Sequence, residues 1–298
     1  MSLKHWLIEV RVPFLLLPLV LSLVGGVLAY SEGSFDPLTF AAFTAVLVLL
    51  HITVNTLNEY KDDSTGIDHN QRHRSVFNGG TGMIQAGFVR PKDVLAVSLS
   101  CATIALALGL WVVWVAGLIL LPLLALGMTF ALLYTHIFAR RMLGEVAAGL
   151  GLGFLPVLGA YMVQTGGISS GCLVLATAAG LLTFNLLLLN EFPDTEADRN
   201  GGRRNIVLRF GLSKAAWIYT LLNAAVYLML LVFAVLGTIP ALSALGLLTV
   251  PLAYQAASSA LHWTESTSVF ASGLKKNVMV VLVTQILIVV GIFSSILL

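Results

Sequence analysis

The sequence predicts an all-α membrane protein of about nine transmembrane helices around a central cavity. Hydrophobic residues make up 58% of the 298 residues and charged residues only 10%, whereas soluble domains have shares of about half and about a quarter. Apolar runs of about 20 residues, the length that crosses a bilayer, recur from Pro13 to Leu298. Alternating strands of about 10 residues, typical of transmembrane barrels, are absent from the sequence. This composition excludes a soluble protein.

Nine apolar runs predict the transmembrane helices in order. They are Pro13 to Tyr30, Leu38 to Leu57, Val94 to Val113, Leu118 to Tyr134, Val146 to Val163, Cys172 to Leu189, Ala215 to Leu236, Leu242 to Leu261, and Asn277 to Leu298. With a cytoplasmic N-terminus, all 16 Lys and Arg residues fall on the cytoplasmic side, as the positive-inside rule requires of short loops. We therefore expect an integral protein of the cell (cytoplasmic) membrane with its N-terminus in the cytoplasm.

The charged residues are concentrated in two cytoplasmic segments. Residues 59–93 hold ten of them and residues 190–214 hold nine. Functional residues are common in such loops, so we expect one transmembrane domain, 1–298, with two active-site loops on the cytoplasmic side at about 58–93 and 190–214. The net charge of +2 is too small to indicate a nucleic-acid partner.

Each of these segments begins with the same spacing of oxygen-bearing side chains. Asn58 and Asp62 follow the second apolar run, and Asp194 and Asp198 follow the sixth. Residues four apart share one face of a helix. An ionised Asp costs about 2.5 to 3.5 kcal/mol at the centre of a membrane span, so paired acids beside the membrane need a counter-charge. Carboxylate and amide oxygens favour Mg²⁺, which completes its shell with water and substrate phosphates.

The nearby basic residues match the oxygens of a phosphate group. They are Arg72, Arg74, Arg140, Arg141, Arg203 and Arg204. Together with the acids and the apolar spans they indicate a site for a lipid diphosphate. Snorkelling arginines that serve topology are the alternative interpretation. A zinc site at His69 and His73 is disfavoured because no cysteine accompanies them.

At these residues the chain resembles the UbiA superfamily of intramembrane prenyltransferases. The resemblance rests on Asn58-x3-Asp62-x5-Asp68 and on Asp194-x3-Asp198, with Arg11 before Pro13 matching the basic start of the first helix. Within the superfamily it is most similar to the 1,4-dihydroxy-2-naphthoate polyprenyltransferase branch of menaquinone synthesis. Two positions, Glu191 and Asn205, depart from the family pattern.

The resemblance implies Mg²⁺-dependent transfer of a prenyl group, within the membrane lipids, from an allylic polyprenyl diphosphate to an aromatic naphthoate or other quinone precursor. It implies metal ligands at Asn58, Asp62, Asp194 and Asp198, and catalytic roles for Asp62, Asp68, Asp198 and Tyr134. In these roles Asp68 accepts the ring proton and the Tyr134 ring stabilises an allylic cation. The substrate-binding residues it implies are Arg11, Asn55, Arg74, Arg140, Arg141, Arg203 and Arg204.

Two other functions stay open. The same chemistry could act on another acceptor, namely 4-hydroxybenzoate, a tetrapyrrole or geranylgeranylglyceryl phosphate, because these enzymes share the diphosphate machinery. A membrane transporter would place ionisable groups near the bilayer midplane, whereas this sequence places its acid pairs at one face. Release of pyrophosphate from an allylic donor separates an enzyme from a transporter.

Overall fold

The computed structural model describes residues 2–70, 74–75, 78–263 and 267–298. Within them the chain forms helices and turns without any strand. The α-helices are α1 (Leu3–Glu9), α2 (Leu16–Ser31), α3 (Pro37–Thr65), α4 (Pro91–Ala116), α5 (Leu121–Leu133), α6 (Gly144–Ala148), α7 (Leu155–Thr165), α8 (Ser170–Asn200), α9 (Ile206–Phe210), α10 (Leu212–Val235), α11 (Val250–Leu261) and α12 (Thr267–Leu297). The predicted all-α fold is confirmed.

Eight helical segments of the described chain are long and apolar enough to cross a bilayer. They are Val12–Ser31, Pro37–Thr65, Pro91–Ala116, Gly144–Thr165, Ser170–Asn200, Leu212–Val235, Ala241–Leu261 and Phe270–Leu297. The fourth predicted span instead forms a shorter apolar helix, Leu118–Leu133. The protein is therefore a polytopic membrane protein, as the composition predicts.

The helices that carry the acid motifs are longer than the apolar runs predict. Helix α3 continues beyond Leu57 to Thr65, and α8 continues beyond Leu189 to Asn200, passing Pro193. The first part of each predicted active-site loop is thus helical, which corrects the expectation of loops at 58–93 and 190–214. Hydropathy marks where apolar side chains end, while α3 itself ends only where Gly66 adopts φ +77°.

Close packing joins the motif-bearing helices α3 and α8 through α2 and α7, each of which contacts both of them. Helix α2 lies against α7, and α3 lies along α4. At the first contact, a Cβ atom on Gly25 would lie 2.2 Å from the backbone oxygen of Val157, so this approach requires glycine. The largest apolar core joins side chains of α2, α7, α8 and α12. In this arrangement the polar ends of α3 and α8 face one cavity.

Candidate active site

A polar cavity lies where α3 and α8 end, with an empty volume of about 1040 Å³ that is partly open to solvent. We call it the donor cavity. Among the residues that the sequence predicts for the site, those that line it are Arg11, Asn55, Asn58, Asp62, Asp68, Tyr134, Asp194, Asp198 and Arg203. The two acid motifs, which lie far apart in the chain, therefore share one cavity.

Arg203 connects the two acid motifs. Its guanidinium forms an ion pair with Asp62 of α3, and its Nη1 lies 3.3 Å from Oδ1 of Asp198 in α8. Both aspartates are almost completely buried, so this cation offsets charge that water cannot reach. Asn205, one of the departures from the family pattern, donates from Nδ2 to Oδ2 of Asp198 at 2.9 Å.

A glycine-containing turn at 78–82 forms another wall that sequence reasoning missed. Asn78 donates from Nδ2 to Oδ1 of Asp194 at 2.8 Å, and Gly79 and Gly80 line the donor cavity. All three glycines in this turn, those at 79, 80 and 82, have positive φ, a conformation that glycine adopts readily. The clustered glycines were the available signal in the sequence.

Arg11 is held by a buried carboxylate that was also missed. Nε of Arg11 donates to Oε1 of Glu59 at 3.0 Å, and Glu59 is 1% exposed. Glu59 Oε2 also accepts from the backbone N–H of Thr81 at 2.9 Å and from its hydroxyl at 3.0 Å. These contacts position the Arg11 guanidinium at the cavity wall. Asn55 donates from Nδ2 to the backbone oxygen of Val10 at 3.2 Å and so supports the backbone next to Arg11.

Asp68 lies beside the turn rather than on a membrane-spanning helix. Burial and the nearby carboxylates of Glu59 and Asp62 raise the pKa of Asp68 to about 8. Its Oδ2 has no hydrogen-bond partner among the described residues. Arg74 supports the segment by donating from Nη2 to the backbone oxygen of Asp68 at 2.9 Å and from Nε to that of Gly79 at 2.7 Å. Arg74 is itself exposed and does not line the donor cavity.

The other predicted basic residues lie away from the donor cavity. Arg140 lines a neighbouring cavity, while Arg141 and Arg204 are exposed and line neither. The sequence could not separate them because every cytoplasmic arginine also serves topology. Arg72 and His73 lie outside the described residues, and His69 pairs instead with Asp63 at 3.1 Å.

An apolar cavity continues from the donor cavity between α3, α4, α5 and α7. Its empty volume is about 880 Å³, and its lining includes Phe43, Leu50, Val112, Leu124 and Gly127. The two cavities share four lining residues, which are His51, Val54, Tyr134 and Leu152. The described residues that line the apolar cavity carry no carboxylate. A molecule with an anionic head and an apolar tail fits this pair of cavities.

The carboxylate and amide oxygens that line the donor cavity are of the type that Mg²⁺ binds. Among the described residues no three Asp, Glu, His or Cys side chains lie close enough to hold an ion as they stand. Arg203 pairs with both Asp62 and Asp198. Mg²⁺ needs only one or two protein carboxylates when phosphates and water complete its octahedron. Buried oxygens without a described hydrogen-bond partner, Asp68 Oδ2 and Asn190 Oδ1, remain available as acceptors or ligands.

Comparison with known proteins gives the family. The profile of the UbiA prenyltransferase family matches residues 19–292. The chain belongs to the UbiA prenyltransferase family. It is 27% identical over 299 residues to a 1,4-dihydroxy-2-naphthoate octaprenyltransferase of Escherichia coli (strain K12), covering 98% of this chain and 96% of that protein. The UbiA prenyltransferase domain-containing protein 1 of Gallus gallus is 31% identical, covering 78% of this chain and 68% of that protein.

Solved structures show the same fold. A UbiA homolog from Archaeoglobus fulgidus bound to DMAPP and Mg²⁺ superposes with a TM-score of 0.68 at 13% sequence identity, covering 99% of each chain. The resemblance to this family and the expectation of a prenyltransferase enzyme are therefore confirmed. The assignment of individual UbiA site residues in this chain stays a prediction.

Proposed function

We propose that this UbiA-family protein transfers a prenyl group from an allylic polyprenyl diphosphate to a naphthoate-type aromatic acceptor, with Mg²⁺, on the cytoplasmic side of the cell membrane. The observation that carries the proposal is the junction of the two cavities. Four acids, four amides and two arginines of the described residues line the polar cavity, and that cavity opens into an apolar one. The diphosphate of a prenyl donor matches the polar cavity, and its prenyl tail matches the apolar one.

In this proposal the donor diphosphate lies between the acid motifs. Asn58, Asp62, Asp194 and Asp198 would hold the metal, and Mg²⁺ bound there would neutralise diphosphate charge as the leaving group departs. Arg11 donates to the diphosphate from the position that Glu59 fixes. Charge-assisted hydrogen bonds to phosphate oxygens favour the departing group.

The reacting carbon then lies near the boundary of the cavities. The bond from the allylic carbon to oxygen breaks with its electron pair leaving on the diphosphate, and a carbon of the acceptor ring forms the new bond. Tyr134 lines both cavities, so its ring is available to stabilise the allylic cation, which the apolar walls protect from water. Asp68 accepts the ring proton, a role that suits a carboxylate with a raised pKa.

Two observations support the finer parts of the proposal. The Escherichia coli relative that spans nearly the whole chain is a 1,4-dihydroxy-2-naphthoate octaprenyltransferase, which supports a naphthoate acceptor. The acid motifs lie at the ends of α3 and α8 where the basic segments begin, and the positive-inside rule favours the cytoplasm for that end. A transporter is disfavoured because the apolar cavity has no described carboxylate along it.

The test is incubation of the purified protein with a labelled allylic diphosphate, Mg²⁺ and a panel of acceptors, with products identified by mass. We expect a prenylated naphthoate product and stoichiometric release of pyrophosphate. Prenylation of 4-hydroxybenzoate, a tetrapyrrole or geranylgeranylglyceryl phosphate instead would keep the reaction and change the acceptor. Absence of pyrophosphate release with every acceptor would refute the transfer reaction.

A further inference from the structure

Helix α3 lines three cavities in succession along its length. Residues from Phe43 to Val54 line the apolar cavity, and residues from His51 to Asp62 line the donor cavity. Beyond them, residues from Lys61 to Thr65 line a third cavity with an empty volume of about 510 Å³. The third cavity therefore continues the series on the side away from the apolar one. It shares Asp62, Ile67 and Arg203 with the donor cavity.

The third cavity has the lining of an anion site. Its described residues are Lys61, Asp62, Ser64, Thr65, Ile67, Thr135, His136, Arg140 and Arg203, and we call it the cationic vestibule. The only carboxylate among them is Asp62, which already pairs with Arg203. The hydroxyls and basic groups supply hydrogen-bond donors on several sides.

Two of the basic side chains of the vestibule lack a paired carboxylate in the described part of the chain. In the described part of the chain, neither Lys61 nor Arg140 forms an ion pair with a carboxylate. The pKa of His136 is lowered by partial burial and by the nearby charges of Lys61 and Arg140. Like charges brought together in a concave site concentrate a positive potential, which attracts a small anion.

We propose that the cationic vestibule binds inorganic pyrophosphate as it leaves the donor cavity. The inference rests on the proposed function, in which breaking the allylic carbon–oxygen bond produces this anion. A tail in the apolar cavity directs the diphosphate end toward the vestibule, because the three cavities follow one another along α3. Arg203 lines both polar cavities, so its side chain lies at the boundary that the anion crosses between them.

The carboxylate of an aromatic acceptor has the same anionic chemistry, but the position of the vestibule favours pyrophosphate. An acceptor must reach the allylic carbon on the side of the prenyl group, which lies toward the apolar cavity. The vestibule lies behind the diphosphate instead. A hydrophilic product also needs a polar path out of the membrane protein, and a basic path lowers its desolvation cost.

The experiment measures equilibrium binding of labelled inorganic pyrophosphate to the purified full-length protein in lipid nanodiscs with EDTA. Metal-free conditions disfavour the acid-lined donor cavity and leave the vestibule. We expect saturable binding that weakens as salt increases.

Lys61→Ala and Arg140→Ala should each weaken pyrophosphate binding about tenfold, which is the lower end of the effect expected when one charge-assisted hydrogen bond is lost. Lys92→Ala, which removes an exposed lysine outside the vestibule, is the matched control and should bind as the unchanged protein does.

Other results would overturn the proposal. These are an absence of saturable binding, or equal binding by the Lys61→Ala, Arg140→Ala and Lys92→Ala variants. Displacement of the label by 2-naphthoate at lower concentration than by unlabelled pyrophosphate would assign the vestibule to an acceptor carboxylate. Failure of the proposed function is detected separately, as the absence of pyrophosphate release in the acceptor assay.

Discussion

The Arg203 guanidinium forms an ion pair with Asp62, a residue 141 positions earlier in the chain. It also bonds to Asp198, so one cation contacts both acid motifs. Asp62 and Asp198 are 5% and 1% exposed, which leaves little solvent to stabilise their negative charge. Arg203 is therefore a structural counter-ion as well as a candidate ligand for the diphosphate.

Arg203→Ala should destabilise the protein by about 3 to 5 kcal/mol when Mg²⁺ is absent, because it leaves two buried carboxylates without their counter-charge. Added Mg²⁺ should recover part of the loss, since a divalent cation can neutralise the same oxygens. Thermal unfolding in detergent with and without Mg²⁺ measures both effects.

Arg204→Ala, which removes the neighbouring exposed arginine, is the control and should change stability by no more than about 0.5 kcal/mol. Equal melting temperatures for the two variants would contradict this role of Arg203.

Gly80→Ala should displace Asp68 and reduce transfer. Gly80 has φ +71°, and a Cβ atom there would lie 2.6 Å and 2.7 Å from the carboxylate oxygens of Asp68. Because misplacement of a reacting group by about 1 Å can lower rates about a hundredfold, we expect a fall of that order in kcat/KM.

The matched control for this change is Gly87→Ala. Gly87 has φ +72°, but a Cβ atom there meets nothing within 4 Å. Both variants carry the same backbone strain of about 1 to 2 kcal/mol, and only Gly80→Ala moves Asp68. Equal kcat/KM values for the two variants would show that the position of Asp68 is unimportant.

The sequence predicted those parts of the molecule that have a local signal. Apolar runs located the helices, and the four-residue spacing placed Asp194 and Asp198 on one face of α8. The contact of Asn78 with Asp194 joins residues 116 positions apart, so no local pattern indicates it. Glu59 is adjacent to Asn58 but points about 100° away on the helix, and it contacts Arg11 rather than the predicted metal ligands. Arginine alone could not identify a diphosphate ligand, because topology also explains each one.

Glu9→Gln should stabilise the protein above about pH 7 and have no effect well below pH 4.5. Burial and the nearby charge of Glu59 raise the pKa of Glu9 from 4.5 to about 7. The folded state then binds more protons than the unfolded state between these values, so stability falls as pH rises through this window. Glutamine removes that dependence, for a gain of about 3 kcal/mol at most.

The local geometry agrees with a proton on Glu9. The Thr81 hydroxyl lies 2.6 Å from Oε2 of Glu9 and 3.0 Å from Oε2 of Glu59, although a hydroxyl has one hydrogen to donate. A protonated Glu9 can donate to Thr81 while Thr81 donates to Glu59. Melting temperatures of both proteins from pH 4 to pH 9 test this, with the acidic range as the internal control. A constant difference across the range would refute the titration of Glu9.

Gly127→Leu should shorten the prenyl donors that the protein accepts. Gly127 lines the apolar cavity, and a Cβ atom there meets only Leu50 Cδ1, at 3.6 Å, so a larger side chain would extend into empty space. We expect kcat/KM for long polyprenyl diphosphates to fall about tenfold or more, since filling a pocket by a few carbon atoms discriminates at this scale. Short donors such as geranyl diphosphate should react as before. Ala125→Leu places the same side chain on an exposed face of α5 and should leave the chain-length preference unchanged. An equal loss for short and long donors in Gly127→Leu would place the tail outside this cavity, because only a tail that reaches Gly127 can sense the new side chain.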